Sequence, residues 1–169
     1  MTDEVVLRDG SRLVVRPIRP QDGSALLALH ARLSTATVHR RYFGGRPHLA
    51  PDLVAVARYE GAAGSTSAEL AIVVDDTLHR HGIGRILLGR LLDVAVERGV
   101  RTIVAEVLPA NGAMLGLLHS AAGPVQTRNV DRVVEVRIDL AGRTPIDADR
   151  AIAQAHLVAA GAPPAPPDR

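Results

Sequence analysis

The chain has 169 residues, a formal net charge of +2 at pH 7 and no cysteine, so it fits one domain and excludes disulfides and thiolate metal sites. Only 2% of its residues are aromatic, so its core must be aliphatic. Its arginines are scattered and it has few aromatic stacking platforms, which argues against nucleic acid as a partner.

The first half of the chain alternates amphipathic and β-type segments. The pattern predicts a strand over residues 12–18, a helix opened by Pro20 and Asp22 that continues to Leu33, and a helix from Thr35 to Phe43 capped by Ser34. It then predicts a strand over "LVAVARYE", a turn at "GAAGSTS" and a strand from Ala68 to Val74. Because a short turn joins the last two strands, we expect them to pair as a hairpin.

The second half predicts two more helices and a closing hairpin. A helix runs from a glycine pair to about Arg98, a strand covers "RTIVAEVL", a helix starts near Asn111, and "PVQTR" and "RVVEVRIDL" form a hairpin around "NVD". The order β-α-α-β-β-α-β-α-β-β predicts a mixed α/β sheet flanked by helices, not a doubly wound one.

The composition changes after Leu140. We therefore expect one domain over residues 1–140 and an Ala/Pro-rich tail over residues 141–169. The Ala-rich part, residues 147–160, is predicted to be a helix. The final "APPAPPDR" is predicted to be disordered, because its prolines remove backbone donors and break regular structure.

Nothing in the sequence predicts a membrane or secreted location. The beginning, "MTDEVVLRDG", is acidic and lacks the charged-then-apolar pattern of a signal peptide. No apolar run approaches the ~20 residues that a membrane span needs. We therefore expect a cytoplasmic protein without a membrane partner.

The most informative stretch is "AIVVDDTLHRHGIGRILLGRLL", residues 71–92, in which a β-like string leads through a glycine pair into a leucine-rich helix. A helix that begins there presents unpaired N–H groups and the positive end of its dipole, which together bind phosphate. The P-loop is excluded because Gly84 is followed by Arg85 instead of lysine. The Rossmann fingerprint is excluded because it needs three glycines in a first βα turn.

This stretch resembles the acetyl-CoA-binding segment of the GNAT superfamily of acyltransferases. The family signature is Gln or Arg, two residues, Gly, one residue, then Gly or Ala; Gly82 and Gly84 fill the glycine positions, and His79 stands where Gln or Arg is usual. The segments "VRPIRPQD", "LSTATVHRRYFGGRP", "AELAIVV" and "VAEVLPANGAMLGLL" resemble, in the same order, the branch of bacterial protein-lysine acetyltransferases, also found fused to acyl-CoA synthetases. The resemblance covers about residues 7–140.

The resemblance implies a set of residues that bind acetyl-CoA, mainly through main-chain N–H groups around the pyrophosphate. The set is Val73, Val74, His79, Arg80, His81, Gly82, Ile83, Gly84, Arg85 and Asn111. Val73 and Val74 lie at the strand end that would polarise the thioester carbonyl. Asn111 is also an ordinary helix N-cap, and both roles are compatible.

Glu69 is the candidate general base by resemblance to this branch. A lysine ammonium with a pKa of ~10.4 has no free lone pair at neutral pH, so transfer to it needs a base. A lone acid in the apolar string "AELAIVV" also has a plainer interpretation, as an edge residue or a partner for Arg58.

Three interpretations of "HRH" stay open at this point: contact of a basic side chain with phosphate, a solvated loop, and metal ligation by His79 and His81, the last disfavoured because no third ligand is suitably spaced. No metal is therefore expected. Many relatives carry a tyrosine as general acid further along the last helix. Here that position is Leu118 or His119, and His119 is either a substitute acid or a surface residue without a role.

The acceptor side is implied by weaker similarities. Glu106 lies in the strand "VAEVL", and Arg41, Tyr42 and Phe43 lie in the second predicted helix. By resemblance these four residues line the site of the acceptor.

One departure from the family concerns the sheet. Between "HLAPDL" and "VAVARYE" the family normally has an extra strand of which this chain has no counterpart. The sheet is therefore predicted to be one strand short, with an unpaired edge that a partner subunit, the N-terminal segment or the C-terminal helix covers. A homodimer in which each subunit shields the other's gap is the favoured solution.

The resemblance implies an N-acetyltransferase that moves acetyl from acetyl-CoA to a primary amine, with a protein lysine as the favoured acceptor. The mechanism would be direct attack with Glu69 as the base. The rival interpretation is a non-catalytic acyl-CoA-binding sensor or regulatory module with a damaged acceptor site.

Overall fold

The computed structural model describes residues 2–7, 10–34, 53–121, 123–143 and 154–161. In chain order its strands and helices are β1 (Asp3–Val6), β2 (Arg12–Pro17), α1 (Gly23–Arg32), β3 (Leu53–Glu60), β4 (Ser67–Val74), α2 (Ile83–Glu97), β5 (Thr102–Val107), α3 (Gly112–His119), β6 (Val125–Val130), β7 (Val133–Asp139) and β8 (Gln154–Gly161). Short 3-10 turns at Pro20–Asp22 and Asp76–Leu78 precede α1 and α2.

The strands form one sheet in the order β1-β2-β8-β3-β4-β5-β7-β6. Every neighbouring pair is antiparallel except β4 and β5, which are parallel because α2 carries the chain back between them. The predicted mixed α/β fold with a mostly antiparallel sheet is confirmed.

Helices cover the two faces of the sheet with separate cores that are aliphatic apart from the fully buried Tyr59 in the larger one. The larger core packs α2, through side chains such as Leu87 and Leu91, against inward-facing residues such as Ala57 and Ile103. On the other face, Leu29 of α1 is fully buried in the smaller core. The two cores share one sheet because successive strand residues point to opposite faces.

The C-terminal segment is a strand where the sequence predicted a helix. Residues 154–161 form β8, so the helix predicted over 147–160 is wrong in its described part, and residues 147–153 lie outside the described residues. Helix propensity in an Ala-rich segment is a weak preference, and tertiary context overrides it. Here two neighbouring strands offer backbone partners along the whole length of the segment.

Strand β8 lies between β2 and β3 and pairs with both in antiparallel register. Val158 is opposite Arg16 on one side and Val56 on the other. The gap predicted in the sheet is therefore filled by the chain's own C-terminal strand. This strand lies beyond the domain boundary expected at residue 140, but it belongs to the same sheet as the residues before it. The reason given for a homodimer, an uncovered gap, is removed with it.

Two further local features differ from the predicted pattern. β1 was not predicted, and it pairs with β2 as a hairpin at the edge of the sheet. The turn between β6 and β7 consists of Asp131 and Arg132, whereas "NVD" predicted it at residues 129–131. Asp131 lies in the left-handed region, with a φ of 50°. The helix predicted over 35–43 lies outside the described residues.

A buried ion pair fixes the start of α1 to the sheet. Arg16 of β2 donates from both terminal nitrogens to the two carboxylate oxygens of Asp22, each at 2.7 Å, and Asp22 is only 7% exposed. These hydrogen bonds from Arg16 lower the pKa of Asp22 despite the opposing effect of burial.

The insertion of β8 makes a direct stability prediction. Val158 is fully buried against α1, whereas Val6 on the edge strand is 63% exposed. Val158→Asp buries a charge without a partner and should lower the free energy of unfolding by several kcal/mol, ~3 or more. Val6→Asp, the same change on an exposed strand position, should cost less than ~1 kcal/mol. Urea unfolding of the two variants measures the difference. Equal losses would contradict the placement of β8 in the sheet.

Candidate active site

A cleft opens in the sheet where β4 and β5 stop pairing. The two strands are in parallel register only from Ser67 opposite Thr102 to Glu69 opposite Val104. Beyond that point β4 continues to Val74 and β5 to Val107 without a ladder between them. The space between them, roofed by the starts of α2 and α3, has a volume of about 520 Å³.

Alternation along β4 decides which main-chain groups face the cleft. The N–H of Asp75 donates to the carbonyl of Val54 on β3, at 2.8 Å, and the carbonyl of Thr66 accepts from the N–H of Thr102 beside β5, at 3.0 Å. Since backbone groups alternate sides along a strand, the N–H and C=O groups of Val74 and Ile72 point toward the cleft, while those of Val73 point toward β3. Because β5 does not pair with β4 beyond Glu69, the N–H groups of Ile72 and Val74 point into the cleft without a strand partner in the described part of the structure.

The connection from β4 to α2 wraps tightly around the open end of the cleft. His79 bonds through Nε2 to the Val74 carbonyl at 3.1 Å, and His81 bonds through Nδ1 to the His79 carbonyl at 3.0 Å. Arg80 and Gly82 both have left-handed backbone conformations, with φ of 66° and 86°. This coiled turn delivers the N-terminus of α2 directly to the cleft.

The two glycines of the turn have different structural roles. Gly82 is the N-cap of α2 in the left-handed region, where an L-residue with a side chain is strained, and open space surrounds it. Gly84 has ordinary helical geometry, but a Cβ there would lie 3.2 Å from Cδ2 of Leu117. Gly84 therefore allows α2 to approach α3, and this packing role was not foreseen from the sequence.

Two acids before the turn tie it to α1. Asp75 is 3% exposed and accepts from Arg32 Nε at 2.7 Å, from Thr77 Oγ1 at 2.7 Å and from the Thr77 N–H at 3.1 Å. Asp76 accepts from the Ser34 N–H at 2.5 Å. Burial acts to raise the pKa of Asp75, but the hydrogen bonds from Arg32 and Thr77 outweigh it and the pKa is lowered.

The charges along the cleft are separated by sign. Glu69 lies where β4 and β5 begin to diverge, and Glu106 lies on β5 two residues beyond Val104. Both side chains are exposed and line the cleft. At the other end the lining side chains include His79 and Arg80, and the wall between the two ends is aliphatic.

Two acids that lie opposite Glu69 and Glu106 on the neighbouring strands form ion pairs. Glu60, opposite Glu69 on β3, forms an ion pair with Arg58. Glu135, opposite Glu106 on β7, lies 3.5 Å from Arg128. Within the described ranges, no cation lies in ion-pair contact with Glu69 or Glu106.

The start of α3 closes the cleft on the β5 side. Asn111 caps this helix, with its side-chain oxygen accepting from the Met114 N–H at 3.2 Å. Further along, Leu118 is fully buried, and His119 is exposed and does not line the cleft.

Most of the candidate residues named from the sequence lie together in this cleft. Those that line it are Glu69, Val73, Val74, His79, Arg80, Gly82, Ile83, Gly84, Glu106 and Asn111. His81 and Arg85 lie in the same turn and first helical residues but do not line the cleft. The acceptor candidates Arg41, Tyr42 and Phe43 lie outside the described residues.

Sequence reasoning missed the apolar walls of the cleft. The missed side chains include Ile72 on β4, Ala105 and Val107 on β5, and Met114 and Leu117 on α3. Their signal was present as alternate positions on a strand and adjacent turns of a helix, but aliphatic residues at that spacing also fit an ordinary core.

The described ranges contain neither a group of metal ligands nor a membrane-spanning helix. No three His, Asp or Glu side chains there are grouped as metal ligands would be. Among the helices that the structure describes, none combines the length and apolarity of a membrane span.

Comparison with known proteins places the chain in a family. The model of the acetyltransferase (GNAT) family matches residues 30–123. Acetyltransferase PA5475 of Pseudomonas aeruginosa is 27% identical over 157 residues, which covers 77% of this chain and 84% of that protein. Mycothiol acetyltransferase of Geodermatophilus obscurus is 33% identical over 105 residues, 60% of this chain, but the match spans only 33% of that protein.

Solved structures agree with this grouping. The crystal structure of the GNAT domain of S. lividans PAT superimposes with a TM-score of 0.71 and 30% identity, covering 82% of this chain and 97% of that one. The cAMP-binding acyltransferase from Mycobacterium smegmatis superimposes with a TM-score of 0.58 and 25% identity. The match covers 82% of this chain and 47% of that one.

The contact between the starts of α2 and α3 yields a testable prediction. Gly84→Ala brings a methyl group against Leu117 and should lower the free energy of unfolding by up to about 2 kcal/mol net, because overpacking of about 1–3 kcal/mol is partly offset by the helix preference of alanine. In a Leu117→Ala background the same change should be neutral or stabilising, because alanine favours a helix over glycine by ~1 kcal/mol. A double-mutant cycle by urea unfolding measures this coupling. An equal cost of Gly84→Ala in both backgrounds would show that contact with Leu117 is not the reason for the glycine.

Proposed function

The chain belongs to the GNAT family of acetyltransferases, and from that premise we propose that it transfers an acetyl group from acetyl-CoA to a primary amine, with a protein lysine as the favoured acceptor. The observation that carries this proposal is the polarity of the cleft. It has basic side chains at a helix N-terminus, an aliphatic middle and two carboxylates without cation contacts in the described structure at the far end. A CoA thioester and an amine need these three environments in this order.

The basic end suits the pyrophosphate of CoA. The first N–H groups of α2 have no partners within the helix, and the helix dipole adds positive potential there. Gly82 keeps side-chain atoms away from this position. His79, Arg80 and Arg85 add polar or charged groups around the same turn, and His81 supports its shape through its bond to the His79 carbonyl.

The middle of the cleft suits the pantetheine arm and the thioester. Backbone groups of Ile72 and Val74 face the cleft, where β5 does not pair with them. The pantetheine arm would take the place of the missing partner strand. In the proposed reaction, one of these N–H groups donates to the thioester oxygen and stabilises the negative charge that develops on it. The aliphatic walls exclude water and strengthen that interaction.

The acidic end suits the acceptor. Glu69 takes a proton from the acceptor ammonium, and the free amine attacks the thioester carbon. The carbon–sulfur bond then breaks and CoA leaves as its thiolate. The attacking nitrogen loses its second proton, which converts the thiolate into the thiol of CoA, and the acetyl group stays on nitrogen as an amide. Glu106 attracts the cationic acceptor to this end. Arg41, Tyr42 and Phe43 remain proposed acceptor contacts by family resemblance.

A protein lysine is favoured as the acceptor for two reasons. The solved GNAT domain of S. lividans PAT, 30% identical, is consistent with the protein-lysine branch. Glu69 and Glu106 are also exposed, so a side chain on the surface of another protein reaches them more readily than it would reach a buried pair.

Binding of acetyl-CoA at the turn is tested at Gly82. Asn and Asp tolerate the left-handed region better than other residues with side chains, so Gly82→Asn and Gly82→Asp strain the turn similarly and differ in charge. Acetyl-CoA should raise the melting temperature of the wild-type protein, because it binds only the native state. The rise should be smaller in Gly82→Asn and nearly absent in Gly82→Asp, whose carboxylate meets the pyrophosphate. Equal rises in both variants would place the pyrophosphate elsewhere.

The role of the base is tested by Glu69→Gln in assays of CoA release with amines and lysine peptides. Turnover at pH 7 should fall by ~10²–10⁴-fold with little change in acetyl-CoA affinity. Raising the pH toward the amine pKa of ~10.4 should restore part of the rate, since the amine then loses its proton to solvent.

Glu106→Gln is the matched control, and it should raise the acceptor KM more than it lowers kcat. A Glu69→Gln enzyme with wild-type turnover at every pH would assign the base to another residue. If the wild-type protein binds acetyl-CoA but releases no CoA with any amine, the chain is an acyl-CoA-binding module instead of an enzyme.

A further inference from the structure

We propose that Arg32 and Asp75 are a positioning pair that holds the acetyl-CoA-binding turn in its binding conformation. Arg32 is the last residue of α1, and Asp75 is the first residue after β4. The two residues lie 43 positions apart in sequence and bind from Arg32 Nε to Asp75 Oδ2 at 2.7 Å. The inference rests on the proposed function, because it concerns the turn that would bind the pyrophosphate.

The pair fixes the turn at the point where it leaves the cleft. Val74, whose backbone faces the cleft, comes immediately before Asp75. The cleft-lining Leu78 is the last residue of the 3-10 turn, and the cleft-lining His79 follows it. The other Asp75 oxygen accepts twice from Thr77, so both carboxylate oxygens have partners. Any rotation of this segment would have to break several hydrogen bonds to a buried carboxylate, which is costly.

Arg32 connects the turn to the sheet as well as to the helix. Its Nη2 donates to the carbonyl of Leu53, the first residue of β3, at 2.5 Å. Next to it, the Ser34 N–H donates to Asp76 at 2.5 Å. The end of α1 therefore holds two successive acids of the turn, one by a side chain and one by the backbone.

The helix that carries Arg32 is itself held by the C-terminal strand. Leu29 and Leu33 pack in the smaller core with Val158 of β8. The turn is thus anchored through α1 to the part of the sheet that β8 completes.

The test replaces the whole pair so that no buried charge is left alone. Arg32→Met/Asp75→Asn removes both charges, keeps an oxygen to accept from Thr77, and breaks the tie between α1 and the turn. The matched control is Arg16→Met/Asp22→Asn, which removes another ion pair with a buried aspartate at the other end of the same helix, away from the cleft; the Arg16 side chain is 16% exposed and that of Arg32 is 35% exposed. Single Arg32→Lys keeps a charge for Asp75 but loses the forked contact to Leu53.

Calorimetric titration should show acetyl-CoA binding at least ~10-fold weaker in the Arg32/Asp75 double variant. Affinity in the Arg16/Asp22 variant should stay within ~2-fold of wild type, and Arg32→Lys should lie between them. In steady-state assays the KM for acetyl-CoA should rise while kcat at saturation stays near wild type, because the reacting groups are untouched. Wild-type affinity in the Arg32/Asp75 variant, or an equal loss in the control pair, would overturn the proposal.

A measurement without ligand separates this proposal from the proposed function. Amide hydrogen exchange of residues 75–85 should be faster in the Arg32/Asp75 variant than in wild type, and unchanged in the Arg16/Asp22 variant. Faster exchange in a protein whose wild type binds no acetyl-CoA would leave the pair as the anchor of the turn and would reject the proposed function. Unchanged exchange in the Arg32/Asp75 variant would overturn the positioning role whatever the ligand.

Discussion

The end of pairing between β4 and β5, after Glu69 and Val104, is the constraint on which the rest of the site depends. Backbone N–H and C=O groups inside a protein need partners. Two adjacent strands that diverge leave a row of such groups facing a gap, and aliphatic walls keep bulk water from filling it well. A long, thin ligand with amides of its own is the natural partner for that row. The direction of the cleft follows from the same divergence, since the strands separate toward the N-terminus of α2.

Strands β2 and β3 do not pair with each other, and β4 and β5 pair only at their start; these two breaks in pairing are resolved in opposite ways. Between β2 and β3 the chain inserts β8, which satisfies both neighbours along its length. Between β4 and β5 no described segment enters, and the space remains for a ligand. The first solution supports the second, because β8 carries Val158 under α1, and α1 carries the arginine that holds the turn at the cleft. Stability and the proposed binding site thus depend on the same C-terminal strand.

Local features of the sequence predicted local features of the structure. The strand, the coiled turn and the helix around Gly82 were foreseen because residues within a few positions of one another determine them. β8 was not foreseen, because its partners β2 and β3 lie about a hundred or more residues earlier and its own alanines favour a helix. Arg32 was missed for a similar reason, since no residue near it in the sequence indicates that it pairs with Asp75. Gly84 was expected to serve the ligand, and its packing against Leu117 became visible only when α3 was in place.

The most direct test of this account is residue-resolved amide exchange along β4 with and without acetyl-CoA. The amides of Ile72 and Val74 face the cleft, and the amide of Val73 belongs to the ladder with β3. Acetyl-CoA should slow exchange at Ile72 and Val74, together with the first amides of α2, and leave Val73 unchanged because its amide is already bonded within the ladder with β3. Protection confined to other parts of the chain, with Ile72 and Val74 unaffected, would contradict the assignment of the cleft as the acetyl-CoA site.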